Sequence, residues 1–162
     1  MNAKLCELLN EKEKSLFIFD IDGVMYEAFF GKHYLSVNSD SVLRHYLKGN
    51  DVYSDIRPIK ISHDLVKTID KSKHNFLFLT RMLSSMDYMQ KINKLENDLD
   101  FVEGKDIIGV VSEKDKIEVI RFYSKLYKNV VYIDDNLETA LQVDSLSELN
   151  VYGFHVSSLF VN

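Results

Sequence analysis

Ser15-Leu16-Phe17-Ile18-Phe19-Asp20-Ile21-Asp22-Gly23-Val24 is the stretch on which the fold turns. Large apolar and aromatic side chains without alternation describe a strand buried on both faces, and the run stops at two carboxylates two residues apart, then a glycine. Residues i and i+2 of a strand point the same way, so Asp20 and Asp22 would converge if the strand ran on, and Gly23 lets the backbone turn instead. Two carboxylates held together repel unless a cation lies between them or one takes a proton. Asp and Gly are also ordinary turn residues, so this stretch alone reads equally as a strand closed by a polar turn.

The same pattern returns further on. Phe76-Leu77-Phe78-Leu79-Thr80, Ile107-Ile108-Gly109-Val110-Val111, Val130-Val131-Tyr132-Ile133-Asp134-Asp135 and Val151-Tyr152-Gly153-Phe154-His155-Val156 read as further strands. Helical spacings separate them. Leu5, Leu8 and Leu9 mark a short amphipathic helix within 3–13, where Cys6 is a packing residue, and Leu65, Val66 and Ile69 follow a Ser62 cap. Met86, Met89, Ile92, Leu95 and Leu99 form a stripe facing a sheet, and Asn136 caps a helix through Leu137, Ala140 and Leu141. Strands alternating with helices predict a parallel sheet of about five strands, covered on both faces. In such sheets the ligand site lies outside the carboxyl ends of the strands. Asp20, Asp22, Thr80, Asp134 and Asp135 all fall at such ends. Their oxygens suit a hard cation such as Mg2+ and offer nothing soft for zinc or copper.

Ser112 with Asp115 three positions on is a capping box, so a helix starts there. On it Lys116 shares a face with Val119, Ile120, Tyr123 and Tyr127, whereas Lys114 sits with Glu118, Arg121 and Lys125. Lys116 is therefore directed inward. A lysine near a helix start opposes the helix dipole, which favours a carboxylate or phosphate partner, the alternative being a side chain that snorkels to water.

Residues 24–57 lack a sustained period of either kind and contain Tyr26, Phe29, Phe30, His33, Tyr34, Tyr46 and Tyr53, with one helix candidate from Val42 to Lys48. A long irregular segment in a compact domain is usually functional, and this one is read as a flap that selects the substrate. Its aromatics with Arg44, His45, Lys48 and Arg57 suit stacking on bases and holding phosphates, or equally a small core of the flap itself.

Composition sets outer bounds. The 162 residues are 46% hydrophobic with one proline and six glycines, which argues for a single globular domain over 1–162. A net charge of -5 speaks against a protein that coats nucleic acid. One cysteine, no long apolar run and no signal-peptide pattern lead to the expectation of a cytoplasmic protein without a membrane partner.

Taken in order, the motifs are similar to those of the haloacid dehalogenase (HAD) superfamily. The strand ending in Asp20-Ile21-Asp22-Gly23 resembles its first motif, the strand ending in Thr80 its second, Lys116 its third and Asp134-Asp135 its fourth. The likeness spans roughly residues 15–156, nearly the whole chain. Receiver domains of two-component signalling use similar residues, but with the acidic pair first and the lysine last.

The resemblance implies a Rossmann-like three-layer sandwich with a small flap insertion at 24–57, and a phosphatase of the small-cap or capless type. Asp20 would be the nucleophile that forms an aspartyl-phosphate, and Asp22 the general acid and base. Thr80 and Lys116 would hold the phosphoryl oxygens. Mg2+ would be bound by a set drawn from Asp20, Asp22, Asp134 and Asp135, with Asp135 as the direct ligand and Asp134 orienting Lys116 or a metal-bound water. Relatives that cleave carbon–halogen bonds lack the second aspartate, so Asp22 favours phosphoryl transfer. Arg81 would contact a second anionic group. A small phosphomonoester is the expected substrate, a nucleic-acid 3′-phosphate the alternative, and a catalytically silent binding module the reading from another class.

Overall fold

Runs of Val, Ile, Leu, Phe and Tyr set the strands of the structure, a computed structural model that describes residues 1–27, 48–49, 51–54, 56–146 and 150–160. The strands are β1 (Ser15–Phe19), β2 (Asn75–Arg81), β3 (Ile107–Val110), β4 (Asn129–Asp134) and β5 (Val151–His155). All pair in parallel, in the order β3-β2-β1-β4-β5. This is the expected α/β architecture, a Rossmann-like sandwich, and β1 lies at its centre. Every residue of β1 and of β4 is buried, as the unbroken apolar runs require.

Alternation along the strands feeds two cores. Phe17, Phe19, Phe78, Val131, Ile133 and Phe154 pack on one face with α1 (Ala3–Asn10), α2 (Lys60–Thr68) and α3 (Ser85–Asp98). Leu16, Ile18, Leu77, Leu79, Val130, Tyr132 and Val151 pack on the other with α4 (Glu113–Ser124) and α5 (Leu137–Asp144). Each large side chain buried this way contributes about 1.5–3 kcal/mol, so β1 anchors both layers. Gly153 marks the tightest helix contact: a Cβ there would come within 2.0 Å of the Ala140 carbonyl oxygen, so α5 can lie on β5 only where a side chain is missing.

Helix starts follow from capping chemistry. Asn2 accepts from the backbone of Lys4 and Leu5, Ser84 from Asp87, and Asn136 from Glu138 and Thr139. The Ser112–Asp115 capping box forms in both directions. Three expectations about the helices are corrected. α2 begins earlier than expected, with Ile59 as its N-cap, and Ser62 lies inside the helix, buried. In α3, Met86 and Met89 point to solvent, while Asp87, Gln90, Lys91 and Leu95 face inward. In α5, Leu137 and Leu141 are exposed and Thr139, Ala140 and Val143 are buried. In both helices the buried row is shifted from the expected one by a residue or two, enough to rotate the inner face.

The helix candidate Val42–Lys48 lies outside the described residues except for Lys48, which sits in a turn, and so do Tyr34, Arg44, His45 and Tyr46. Part of the described 24–57 segment joins the core, while Glu27, Lys48, Gly49, Asp51, Ser54 and Arg57 are exposed. Val24, Met25, Tyr26, Val52 and Tyr53 are buried in the same cluster as Phe17 and Phe19. Backbone bonds from Glu27 to Arg57 (3.0 Å) and from Ile59 to Met25 (2.8 Å) tie the two ends of the segment together. No helix of the described residues is long and apolar enough to cross a membrane.

Candidate functional site

Strand order reverses between β1 and β4, and the crevice outside their carboxyl ends is where an open α/β sheet places its ligand. Asp20 follows β1 there, 6% exposed, and its N–H donates to the Ile133 carbonyl at 2.9 Å, which fastens the end of β1 to β4. The chain then turns at once. Ile21 N–H donates to Asp20 Oδ1 at 2.7 Å, and Met25 N–H donates back to the Ile21 carbonyl at 2.9 Å. Gly23 makes the turn possible, with φ of 72°. A Cβ on it would lie 2.1 Å from Asp135 Oδ2, so the position excludes side chains twice over. Gly23→Ala is therefore expected to cost about 1–3 kcal/mol of stability and to displace the Asp135 carboxylate. Thermal melts and a crystal structure of the variant check this, and an unmoved Asp135 at unchanged Tm would count against it.

Asp134 ends β4 and Asp135 follows it directly. Asp134 is fully buried and crowded with donors: the Tyr132 hydroxyl on Oδ2, the Asn136 N–H on Oδ1 at 2.8 Å, and Lys116 Nζ at 3.3 Å. Tyr132 reaches it because residues two apart on a strand share a face. Asp135 is exposed, and its carbonyl meets His155 Nε2 at 3.0 Å across from β5. One oxygen each from Asp20, Asp134 and Asp135 lie within 4.8 Å of one another, close enough to surround a single hard cation.

Lys116, 1% exposed, projects from the first turn of α4 into this group. Its ammonium lies 2.8 Å from Asp20, 3.3 Å from Asp134 and 3.2 Å from Glu113. Burial alone would lower its pKa, but Asp20, Asp134 and Glu113 outweigh that and hold it above the ordinary lysine value. Burial pushes the Asp20 carboxyl up, Lys116 pulls it down, and the charges of Asp134 and Asp22 add to the rise, leaving it at about 7. Although the residue as a whole is exposed, the Asp135 carboxyl is partly desolvated, and this, with the charge of Asp134 and a hydrogen bond with it, pushes it up to about 6.

The remaining expected residues sit beside this centre. Thr80, in β2 next to β1, is buried and bonds Lys91 Nζ at 3.0 Å. The Asp22 carboxylate is not part of the three-oxygen group. Its Oδ1 accepts from the Tyr53 hydroxyl and its Oδ2 pairs with Lys91 at 2.8 Å. Arg81 is exposed, with Nε 3.9 Å from Glu113.

Lys91, Glu113 and Tyr132 were not singled out from sequence, and Tyr53 only as one of the flap aromatics, yet all touch the site. For Lys91 a signal existed: Asp87, Lys91, Leu95 and Leu99 step by four, so an inward Leu95 brings the whole row inward. Glu113 and Tyr132 stand three and two residues from Lys116 and Asp134, which helix and strand periods turn into neighbours. Tyr53 carried no periodic signal. Its N–H is bound by Asp51 at 2.8 Å, and the adjacent Val52 N–H donates to Gln90 of α3 at 2.9 Å, so α3 holds the segment that delivers the tyrosine.

Fold and site together define an α/β protein with an acidic and lysine-bearing centre at its topological switch point. Compared with known proteins, the chain matches no family model and no curated sequence.

Proposed function

We propose that the chain is a HAD-type phosphatase that hydrolyses a phosphomonoester through an aspartyl-phosphate on Asp20, in the cytoplasm, with a small metabolite as substrate. The observation that supports it above the rest is Asp20 itself: a buried carboxylate at the switch point, faced by a buried lysine and by two more carboxylates on the neighbouring strand. Around Asp20 the chemistry-bearing groups are carboxylates and the Lys116 ammonium, with the Thr80 hydroxyl on the adjacent strand, which suits transfer of a charged phosphoryl group.

Asp20 attacks phosphorus with a carboxylate oxygen, and the bond from phosphorus to the ester oxygen breaks. Asp22 gives that oxygen a proton as it leaves. It then takes one from the water that attacks phosphorus, so that the acyl-phosphate bond breaks and orthophosphate departs. Thr80 donates its hydroxyl and Lys116 its ammonium to the phosphoryl oxygens. Mg2+ fits the donor set, being a hard cation that takes carboxylate oxygens, and would supply positive charge between the carboxylates and the phosphate. Asp20 and Asp135 would hold it. Asp134, already engaged by Tyr132, Asn136 and Lys116, is better placed to orient the lysine.

Hydrolysis of p-nitrophenyl phosphate is expected with Mg2+, lost on exhaustive chelation and restored by Mg2+ alone. Mg2+ affinity, followed by calorimetry, should rise as pH climbs through the window from about 6 to about 7, because the cation displaces protons from Asp135 and Asp20. No turnover over a broad panel of phosphomonoesters would leave the silent binding module as the better reading.

A further inference from the structure

The Lys91 ammonium is 1% exposed, buried on α3 at the edge of the centre. Burying it is costly unless every proton finds an acceptor, and here four acceptors surround it. Asp22 Oδ2 lies at 2.8 Å, Asp87 Oδ2 at 3.3 Å, Thr80 Oγ1 at 3.0 Å and the Arg81 carbonyl at 2.7 Å. Asp87, fully buried one helical turn earlier, also accepts the Leu83 N–H at 2.8 Å, so the start of α3 is fixed against the end of β2. A lysine that served only to neutralise Asp87 would have no need to reach two side chains from two different strand ends.

Donor and acceptor chemistry says what those contacts do. An ammonium has protons and no lone pair, so Thr80 Oγ1 must accept from Lys91 and keep its own proton for another acceptor. That proton goes to the Arg81 carbonyl at 3.4 Å, long for an O–H bond and therefore weak. The hydroxyl proton is thus readily turned to a phosphoryl oxygen, which can only accept. Asp22 is likewise gripped on both oxygens, by Tyr53 and Lys91.

We propose that Lys91 is a positioning residue of the site, aiming the Asp22 carboxylate and turning the Thr80 hydroxyl toward the phosphoryl group. The proposal rests on the phosphatase reading above. It adds a second buried lysine that acts through its neighbours, apart from Lys116.

The test uses Lys91→Met combined with Asp87→Asn, so that no carboxylate is stranded in the core, and Lys91→Gln as a second variant that keeps an amide donor. With phenyl phosphate, whose leaving oxygen needs a proton, kcat should fall about 30- to 100-fold in the double variant with little change in KM. The loss should be several-fold smaller with p-nitrophenyl phosphate, which leaves without help. Introduced into Asp22→Asn, the same pair of substitutions should lose at least about tenfold less than in the native background, because part of their effect has already been removed. A crystal structure of the double variant should show Asp22 in a new rotamer. Equal losses for both leaving groups and both backgrounds, or an unmoved Asp22, overturn the proposal, as does failure of both variants to fold. If the native chain hydrolyses nothing, the phosphatase reading falls, while the crystal structure still decides whether Lys91 sets Asp22.

Discussion

Lys116→Met is expected to destabilise the protein by about 3–5 kcal/mol, since it removes the cation from a buried group of carboxylates and leaves them uncompensated. The lost partners are specific: Asp20 at 2.8 Å, Glu113 at 3.2 Å and Asp134 at 3.3 Å. Chemical denaturation measures the loss, and its pH dependence carries a sign. In the native protein the Asp20 carboxyl is held at about 7 against an ordinary 3.8, so the folded state keeps a proton that the unfolded chain releases. This group's contribution therefore grows as pH falls from about 7 toward 3.8 and is lost as pH rises through about 7. Without Lys116 the crowding worsens, and the variant should recover stability on acidification more strongly than the native protein. A variant within about 1 kcal/mol of native at every pH would mean that the lysine is solvated and the pairs are incidental.

Asp20→Asn should cut turnover of any phosphomonoester by at least about a thousandfold while leaving stability equal or higher. The amide keeps the shape of the carboxyl but is a far poorer nucleophile, and its introduction relieves the repulsion among Asp20, Asp134 and Asp22. Lys116 still finds Asp134 and Glu113 in the variant. Loss of activity at an unchanged or raised Tm separates chemistry from folding, as a general structural defect would not. Activity within a few fold of native would place the nucleophile elsewhere and end the aspartyl-phosphate mechanism.

What the sequence made legible was the part governed by short, strong periods. Parallel strands buried on both faces read as unbroken apolar runs, so β1 and β4 and their terminal carboxylates stood out. Lys116 was legible because its helix offered a clear choice between an apolar and a charged face. α3 offered no such choice. Two adjacent rows, one with Met86 and Met89 and one with Asp87 and Lys91, lead to the same Leu95, and hydrophobicity favours the row that the fold leaves in water. Charge burial is invisible to a hydrophobic count, because it depends on partners from distant segments: Asp22 is 69 residues from Lys91 in the chain, taking 91 less 22. Residues 24–57 posed a related problem. An aromatic in an irregular segment has no period to declare its side, and nothing in the pattern marked Tyr26 and Tyr53 as members of the core cluster.

The central place of β1 has a temporal meaning as well. Ser15 pairs with Asn129, 114 residues later, whereas its other neighbour, β2, begins only at Asn75. During synthesis β1 leaves the ribosome before the other four strands and waits for both flanks, the acidic one last. Long-range parallel pairing of this kind is slow, because a large loop must close before any contact compensates its entropy. A nascent chain therefore carries Asp20 well before Lys116 and Asp134, and the centre stays incomplete until β4 docks.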